Sequence, residues 1–453
     1  MAEIKKTVNF ESLLRNKSAL KNMHSTDIAK MLDTIHNDYE ERFYHQLENL
    51  PDELLGEVII HLPEKYRYEV LERLPSAKLK IAIEQLETDD ATDLIQEIEE
   101  VDELKANAIL SKLDKASREE IKRLMQYEED EAGAIMQTEL FNARANEKIK
   151  TAIQRLKKLK NDGELENIHQ VFIVDDDGVL KGGIWLEDLI IYDFEKTFYE
   201  VLRDEGEENL MPKFVNGREN IKEVIKKFEQ YDLSVIAVVD ENGKLLGRIT
   251  SDDMYDVIEE NATEQIYNLA GVNDVAEAEN DIIEISKKRG VWLFINLFTA
   301  VLGSTVISFF DSTIESLVAL AILMPIVASM GGNAGNQSLA VVVRQLALGT
   351  IIFEDARETI KKEVKIALIN GFTFASLIGL ISFLWFSNPM LGVVIGAAMI
   401  LNLLAAGFFG AAIPLGLKRL NIDPAIGSTV LLTAVTDIFG FFVFLGLAAL
   451  VLL

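Results

Sequence analysis

One acidic residue lies in the middle of a long apolar segment. Residues 424–453 contain no charged side chain except Asp437. If this segment spans a bilayer, an ionised carboxylate at its centre costs at least ~2.5–3.5 kcal/mol, and such residues usually face a water-filled path. Thr433 and Thr436 share a helical face with Asp437, at spacings of four and one, so their oxygens could contact a hydrated cation. We interpret Asp437 and Thr433 as candidate cation ligands, with a hydrogen-bonded structural aspartate as the alternative.

A polar, glycine-rich stretch interrupts a second uncharged segment, residues 316–343. Broken backbone inside a membrane is tolerated only where protein or a water-filled cavity satisfies it, and glycine allows helices to approach closely. We therefore expect this stretch and Pro325 to break the helix beside a pore, with a packing kink as the alternative. The residues of the stretch are Gly331, Gly332, Asn333, Gly335, Asn336 and Gln337.

The segments around these residues are long enough to cross a bilayer, because a transmembrane helix needs roughly 20 apolar residues. Residues 366–417 also carry no charge and are divided at Ser387-Asn388-Pro389. Buried helices of a soluble core are the alternative, but globular helices average only about 11–12 residues. We predict an all-α transmembrane domain over residues 290–453, with five helices at about 290–310, 316–348, 366–386, 392–417 and 425–452.

Basic residues indicate how these helices are oriented. Lysine and arginine occur at 287–289, 357–365 and 418–419, whereas the loops after the first and third helices have none. Because positively charged loops stay in the cytoplasm, we expect a multi-pass protein of the cytoplasmic membrane with its N-terminus inside and its C-terminus outside. Residues 1–32 are polar and mixed and do not resemble a cleavable signal.

Composition excludes several classes of function. The formal net charge is −28 and cysteine is absent, which excludes thiolate zinc and iron–sulfur sites and argues against nucleic acid as a partner. Residues 290–453 hold 7 basic and 8 acidic residues, so nearly all the negative charge precedes them, where it would concentrate divalent cations. The sequence has no nucleophile–base pair, phosphate-binding glycine loop or HExxH motif. It therefore gives no support for an enzymatic function.

The N-terminal region contains a short repeat. The pairs Leu50-Pro51, Leu62-Pro63 and Leu74-Pro75 recur at a constant spacing. Proline is tolerated in the first turn of a helix and is poor beyond it, so each unit predicts a short helix that starts after a Leu-Pro joint. Stacked short helices form a superhelical domain, and we assign residues 1–128 to such an α-helical N domain.

A longer repeat follows, in which the pattern of residues 174–188 recurs at 239–253. In each copy an apolar strand meets an Asp-Gly or Asn-Gly turn, and a second strand and a helix follow. This α/β duplication resembles a tandem pair of CBS modules, which we assign to residues 129–253; an unrelated βαβ duplication is the alternative. Residues 254–289 have a helical, acidic pattern and would connect this pair to the membrane domain.

Several motifs together resemble the MgtE family of magnesium channels. They are Pro325 with the stretch 331–337, Asp423-Pro424-Ala425, Asp437, and the segment 127–133 before the first CBS module. The order of N domain, CBS pair, connecting plug helix and five spans also matches. The resemblance implies a homodimer whose pore lies between the subunits, with Asp437 binding hydrated Mg²⁺. Because Mg²⁺ dehydrates reluctantly, two Asp437 carboxylates could hold the ion through its water shell.

The resemblance further implies that the cytosolic domains sense Mg²⁺ and close the pore through the plug helix. At four positions where the family has acidic residues, this chain has other residues. Because the affinity of a site for Mg²⁺ depends on the charge of its ligands, we expect this gating to be weakened. The retained metal positions are Asp89, Asp93, Gly133, Asp232, Asp253, Asp256, Glu264 and Asp423, and the departures are Asn220, Lys222, Asn261 and Gln265.

ATP binding at the CBS pair is open but not favoured. Gln170 and Leu233 stand where the family's nucleotide site uses aromatic residues, so a stacked adenine is less well supported. For the whole chain we expect a Mg²⁺ channel or transporter that mediates magnesium uptake. The alternatives are a secondary-active carrier of divalent cations (Mg²⁺ or Co²⁺) and a membrane sensor of Mg²⁺ or nucleotide that does not transport, which would leave Asp437 unexplained.

Overall fold

The computed structural model describes residues 20, 23–163, 165, 167–272, 282–351, 355–420 and 422–453. The chain divides into two compact units, residues 1–259 and 260–453. The first unit contains the N-terminal helices and two small sheets, and the second is built from long helices.

Short helices fill the N-terminal part of the first unit, as the Leu-Pro repeat predicted. The proline of each joint has φ between −53° and −60° and directly precedes the next helix. The three leucines of these joints are at most 3% exposed and belong to one hydrophobic cluster, so the repeat sets both the helix starts and the core. The helices are α1 Ser25–Asp38, α2 Glu40–Glu48, α3 Asp52–Ile60, α4 Glu64–Arg73, α5 Ser76–Ile83, α6 Thr88–Val101, α7 Glu103–Leu110 and α8 Lys115–Leu124.

Two three-stranded sheets follow, and they confirm the duplication. In each, the first two strands are parallel and the last two antiparallel. The register shifts at Ile173/Val174 in one sheet and at Val238/Val239 in the other, so even this irregularity repeats at equivalent positions. The strands are β1 Asn142–Arg144, β2 Gln170–Val174, β3 Leu180–Trp185, β4 Phe214–Asn216, β5 Val235–Val239 and β6 Leu245–Thr250.

Helices pack around these strands and lead to the second unit. A 3₁₀ helix covers Asp188–Ile191, and the α-helices are α9 Ile149–Asn161, α10 Phe198–Glu205, α11 Glu207–Leu210, α12 Ile221–Tyr231 and α13 Ser251–Ala270. α13 holds the first part of the expected plug connector and is followed by Gly271, whose φ is +72°. Residues 273–281 of that connector lie outside the described residues.

Among the described residues of the second unit, five long helices and one short one follow α13. They are α14 Ile282–Ser308, α15 Asp311–Ser316, α16 Ala319–Ala347, α17 Ala356–Phe386, α18 Pro389–Arg419 and α19 Ser428–Val451. The predicted break between the third and fourth spans is confirmed: Ser387 has φ of 51°, and the Asn388 side chain accepts hydrogen bonds from the N–H groups of Met390 and Leu391.

Four helices in the described chain are long and apolar enough to cross a membrane, namely α14, α17, α18 and α19. The sequence predicted five spans. The remaining long helix, α16, has 29 residues, but its glycine and amide side chains lower its apolar character, so its crossing stays a prediction. The expected break in its backbone is wrong, because α16 continues through Pro325 and the whole 331–337 stretch.

Candidate functional site

Asp437 lies on α19 and is partly exposed on the surface of the second unit. Its carboxylate forms no hydrogen bond or ion pair with another residue in the described part of the chain. A carboxylate on an apolar helix without a protein partner is costly unless water or a cation satisfies it. Asp437 is therefore accessible to water or a cation from the surface of the single chain.

The two threonines near Asp437 have different surroundings. Thr436 is completely buried, and its hydroxyl donates to the carbonyls of Leu432 at 3.0 Å and Thr433 at 3.1 Å. The sequence-based interpretation that Thr436 could contact a hydrated ion is therefore wrong, because the packing of α19 turns this side chain into the protein. Thr433 is partly exposed and donates to the Thr429 carbonyl at 2.9 Å, which leaves its oxygen lone pairs free to accept from an ion's water shell.

The 331–337 stretch divides into two faces of α16. Gly331 and Gly335 are buried, whereas Asn333 and Gln337 are exposed. A Cβ at Gly335 would lie 3.0 Å from the Leu432 side chain on α19, so this glycine permits the close approach of the two helices. The Asn333 and Gln337 amides on the other face lie on the surface of the single chain.

Asn402 of α18 joins the two helices that carry the polar residues, and sequence analysis missed it. Its side chain is 0% exposed and its Nδ2 donates to the Val327 carbonyl of α16 at 2.9 Å. A Cβ at Gly331 of α16 would lie 2.3 Å from this nitrogen, and one at Gly440 of α19 would lie 2.7 Å from it. The amide therefore fills the space between two glycines, and Gly440 is less than one helical turn from Asp437.

The end of α13 packs against the start of α19. The Leu269 carbonyl accepts a hydrogen bond of 2.9 Å from the Thr429 hydroxyl. The Leu269 side chain packs against a hydrophobic cluster that includes Leu339 of α16 and Leu432 of α19. The part of the chain predicted to be a plug thus contacts both helices that carry the candidate pore residues.

The other predicted metal positions of the second unit have local hydrogen bonds. Asp423 accepts from the Ala425 N–H at 2.8 Å, which forms the turn before α19. Glu264 accepts from the Asn268 side chain at 3.3 Å, one turn along α13. Among the described residues no group of three or more histidine or carboxylate side chains is arranged to hold a metal ion.

An acidic cluster lies in the first unit where α6 meets the CBS region. Asp89 is 8% exposed, and one of its oxygens has no hydrogen-bond partner among the described residues. The Thr88 hydroxyl donates to the Glu139 carboxylate at 2.9 Å, and the Gln137 amide donates to Asp253 at 3.2 Å. Polar contacts therefore hold several carboxylates of both regions together.

Burial and mutual repulsion raise the pKa values in this cluster. Burial, followed by repulsion from Glu139, raises the pKa of Glu87 to about 7. Burial and the neighbouring Asp93 raise the pKa of Asp90 to about 7. Burial also raises the pKa of Asp89 well above its usual range, and that of Asp253. Buried like charges are unfavourable, so the cluster favours bound protons.

Sequence analysis found only part of this cluster. It named Asp89, Asp93, Asp253 and Asp256, and Asp256 is close enough to raise the pKa of Asp90. It missed Glu87, Asp90 and Glu139. Asp90 lies between the predicted positions Asp89 and Asp93 in the sequence. The Thr-Asp-Asp start of α6 was the pattern that could have indicated it.

Two further predicted positions have structural roles. A Cβ at Gly133 would lie 2.4 Å from the Tyr127 ring, so the glycine allows this ring to pack. Asp232 ends α12 in the left-handed conformation, with φ of 49°.

The structure also shows where the residues that depart from the family pattern lie. Asn220 caps α12 by accepting from the Lys222 N–H at 3.1 Å, and it donates to Asp130 at 2.6 Å. Gln170 is 7% exposed and lies beneath Gly183, where a Cβ would be 2.7 Å from its amide nitrogen. Asn261 and Gln265 both lie on α13.

Family models match three parts of the chain. The model described as a divalent cation transporter matches residues 324–447. The model of the MgtE intracellular N domain matches residues 23–130, and the CBS domain model matches residues 210–260. These ranges include Asp437, the helices of the N domain and the second sheet.

Relatives match over most of the chain. The magnesium transporter MgtE of Thermus thermophilus is 32% identical over 441 residues, which are 96% of this chain and 95% of that protein. The magnesium transporter MgtE of Enterococcus faecalis is 33% identical over 73% of this chain and 71% of that protein. A crystal structure of the cytosolic domain of the Mg²⁺ channel MgtE in complex with ATP is 30% identical, covers 55% of this chain and 99% of that chain, and has a TM-score of 0.49. The resemblance found in the motifs is confirmed, and the chain belongs to the MgtE family.

Proposed function

We propose that this chain carries Mg²⁺ across the cytoplasmic membrane along a path lined by Asp437. The observation that supports this most directly is a carboxylate on an apolar helix that has no protein partner among the described residues. Mg²⁺ keeps several waters and prefers oxygen ligands. A carboxylate that binds the water shell, with the partly exposed Thr433 one turn away on the same helix, suits such an ion.

The complete path requires a second copy of the chain. Asp437 and Asn333 lie on the surface of one chain, so a single chain does not enclose them. A two-fold axis brings identical surfaces together and would pair the two Asp437 carboxylates around one ion. We expect a dimer by mass measurement in detergent and by crosslinking between α19 helices; an active monomer would contradict this assembly.

The plug contact supports control from the cytoplasmic side. Basic residues at 287–289, 357–365 and 418–419 support a cytoplasmic location for these loops, and we propose that the N-terminus is inside and the C-terminus outside. The Leu269–Thr429 contact then lies at the inner end of α19. Movement of α13 would change the inner mouth of the path.

Transport by wild-type protein in liposomes tests the proposal. Mg²⁺ uptake should follow the Mg²⁺ gradient and membrane potential alone, because the proposed path includes no coupling ion. Repeating the assay with an imposed pH or Na⁺ gradient separates a channel from a carrier: a several-fold stimulation by either gradient would favour the carrier. No Mg²⁺ uptake under any gradient, and no growth of a Mg²⁺-requiring bacterial strain, would favour the non-transporting sensor.

The acidic cluster around Asp89 and Asp253 is the part of the cytosolic region that we propose as a Mg²⁺ sensor. Its charges repel one another when no cation is bound. Bound Mg²⁺ would offset this repulsion and hold α6 against the CBS region. The Asn220 side chain donates a hydrogen bond to Asp130. This bond joins the start of α12 to the segment before the first CBS module without an ion, which agrees with a sensor that binds fewer ions.

Without Mg²⁺, the contact between α6 and the CBS region should weaken as pH rises from about 5 to 8. Glu87 and Asp90 have pKa values of about 7 in the joined state, whereas the ordinary pKa values of these side chains are 4.5 and 3.8. Between these values the joined state binds more protons than the separated one, so raising pH favours separation, by on the order of a few kcal/mol in total. Glu139, Asp252 and Arg248 face the same cluster, and Arg248 partly offsets the repulsion.

Because the chain has no cysteine, this prediction can be measured with labels on the full chain at Leu104→Cys and Gln230→Cys. In EDTA the label distance should lengthen with pH, and Mg²⁺ at pH 8 should restore the short distance. Asp90→Asn should reduce the pH response, whereas Glu103→Gln, an exposed change on α7, should leave it unchanged. A distance that stays constant in EDTA from pH 5 to 8 would contradict the prediction.

A further inference from the structure

A cavity of about 230 Å³ lies between α16, α17 and α18, and its lining does not include Asp437. Along α17 it is lined by Glu363, Ile366, Ala367 and Asn370, which follow the i, i+3, i+4, i+7 spacing of one helix face. Most of the remaining lining is apolar, so the cavity is not a simple water pocket. The other lining residues are Ala334, Gln337, Ser338, Val341, Lys362, Leu403 and Gly407.

Glu363 makes this cavity unusual. The residue is 5% exposed, and it forms no hydrogen bond or ion pair with any residue in the described ranges. A charge on a largely buried residue without a protein partner is unfavourable, so a polar group inside the cavity would stabilise it. Gly407 permits this arrangement, since a Cβ there would lie 3.0 Å from the Glu363 carbonyl and 2.6 Å from Ala367.

The position of the cavity along the membrane narrows the ligand class. The uncharged part of α17 begins at residue 366, so Lys362 and Glu363 lie at the level expected for lipid headgroups, and Ala367 and Leu403 lie deeper. Lys362 is exposed and has no ion-pair partner among the described residues. One end of the cavity thus offers a cation and an anion side by side, and the other end is apolar.

We propose that this cavity binds a zwitterionic phospholipid with a primary ammonium headgroup. Lys362 contacts the phosphate, Glu363 accepts hydrogen bonds from the ammonium group, and the start of an acyl chain lies against Ile366, Ala367 and Leu403. Charged donors and acceptors of this kind form the stronger hydrogen bonds. The cytoplasmic leaflet as the source rests on the proposed orientation of the chain.

Other ligands fit the lining less well. A glycerol headgroup leaves Glu363 unpaired beside a net negative lipid. A choline headgroup has no N–H to donate. A hydrated Mg²⁺ would place its water shell against a mostly apolar wall and near Lys362. The preference for a primary ammonium therefore comes from Glu363, and general affinity for phospholipid comes from Lys362 and the apolar end.

Native mass spectrometry of the full chain tests this proposal without a transport assay. The protein is incubated with equal amounts of phosphatidylethanolamine, phosphatidylglycerol and phosphatidylcholine with the same acyl chains. Wild type should retain phosphatidylethanolamine with a preference of about fivefold or more over either competitor, as a charge-assisted contact implies. Glu363→Gln should reduce this preference to less than about twofold, and Lys362→Gln should lower the retention of all three lipids.

Matched controls separate the site from general effects on α17. Ile366 lines the cavity, so Ile366→Trp should block lipid binding. Ile369 is 68% exposed and is not part of the lining, so Ile369→Trp should leave lipid binding unchanged. Glu358→Gln, an exposed acid on the same helix, should keep the wild-type preference. Equal retention of the three lipids by wild type, or an unchanged preference in Ile366→Trp, would overturn the proposal. If Glu363→Gln does not fold, Ile366→Trp still decides it.

Discussion

Asp437→Asn is expected to lower Mg²⁺ flux by about 100-fold or more while the protein stays folded. The change keeps the shape of the side chain and removes its charge. Two charges about 4 Å apart interact by about 4 kcal/mol at an effective dielectric constant of 20, and about 1.4 kcal/mol corresponds to tenfold. The carboxylate has no hydrogen-bond or ion-pair partner among the described residues, so its loss should not disrupt internal contacts.

The measurement is initial Mg²⁺ uptake into liposomes at matched protein content. Asp437→Glu keeps the charge and should retain part of the flux. Asp311→Asn provides the matched control, because it removes one acid from the short helix α15 of the same unit. Thr436→Ser should have little effect on ion selectivity, since Thr436 is completely buried. Wild-type flux in Asp437→Asn would contradict the role of this residue in transport.

Sequence patterns predicted the features that depend on composition and spacing. Asp437 was identified because a single charged residue in a long uncharged segment is visible in the sequence itself. The Leu-Pro joints likewise indicated where three helices start. The recurrence of the 174–188 pattern at 239–253 predicted two sheets with the same strand order. In each case the physical cause is local: a proline, a turn, or a run of apolar residues.

Features that depend on the rotation and packing of helices were not predictable in this way. Thr436 is one residue from Asp437, yet only the packing of α19 shows that it points into the protein. Asn402 is one amide in an uncharged segment, and its role depends on two glycines that belong to other helices and are distant in the sequence. Glu87 and Glu139 are also far apart along the chain, and the raised pKa of Glu87 arises from burial and tertiary contact.

The packing of Asn402 leads to the second large expected effect, which concerns Gly331→Ala. The added Cβ would lie 2.3 Å from Asn402 Nδ2 and 2.9 Å from its Cγ, distances that force a shift. Asn402 has little room to move, because it is completely buried and donates to Val327. Overpacking costs about 1–3 kcal/mol, and a lost buried hydrogen bond costs about 1–3 kcal/mol more. We expect a clearly lower thermal unfolding temperature.

A double-mutant cycle distinguishes this clash from a general intolerance of α16 to substitution. Asn402→Ala removes the side chain that Gly331→Ala strikes, so the double variant should be more stable than the sum of the single changes predicts. Gly332→Ala is the matched control, since nothing lies within 4 Å of a Cβ at that position, and it should unfold near the wild-type temperature. Thermal unfolding in detergent is measured for all five proteins: wild type, the two single variants, the double variant and Gly332→Ala. Additive effects of the two substitutions would mean that Asn402 does not hold α16 in place. Recovery of stability in the double variant without recovery of Mg²⁺ flux would show that the amide also positions the helices that carry Asp437 and Asn333.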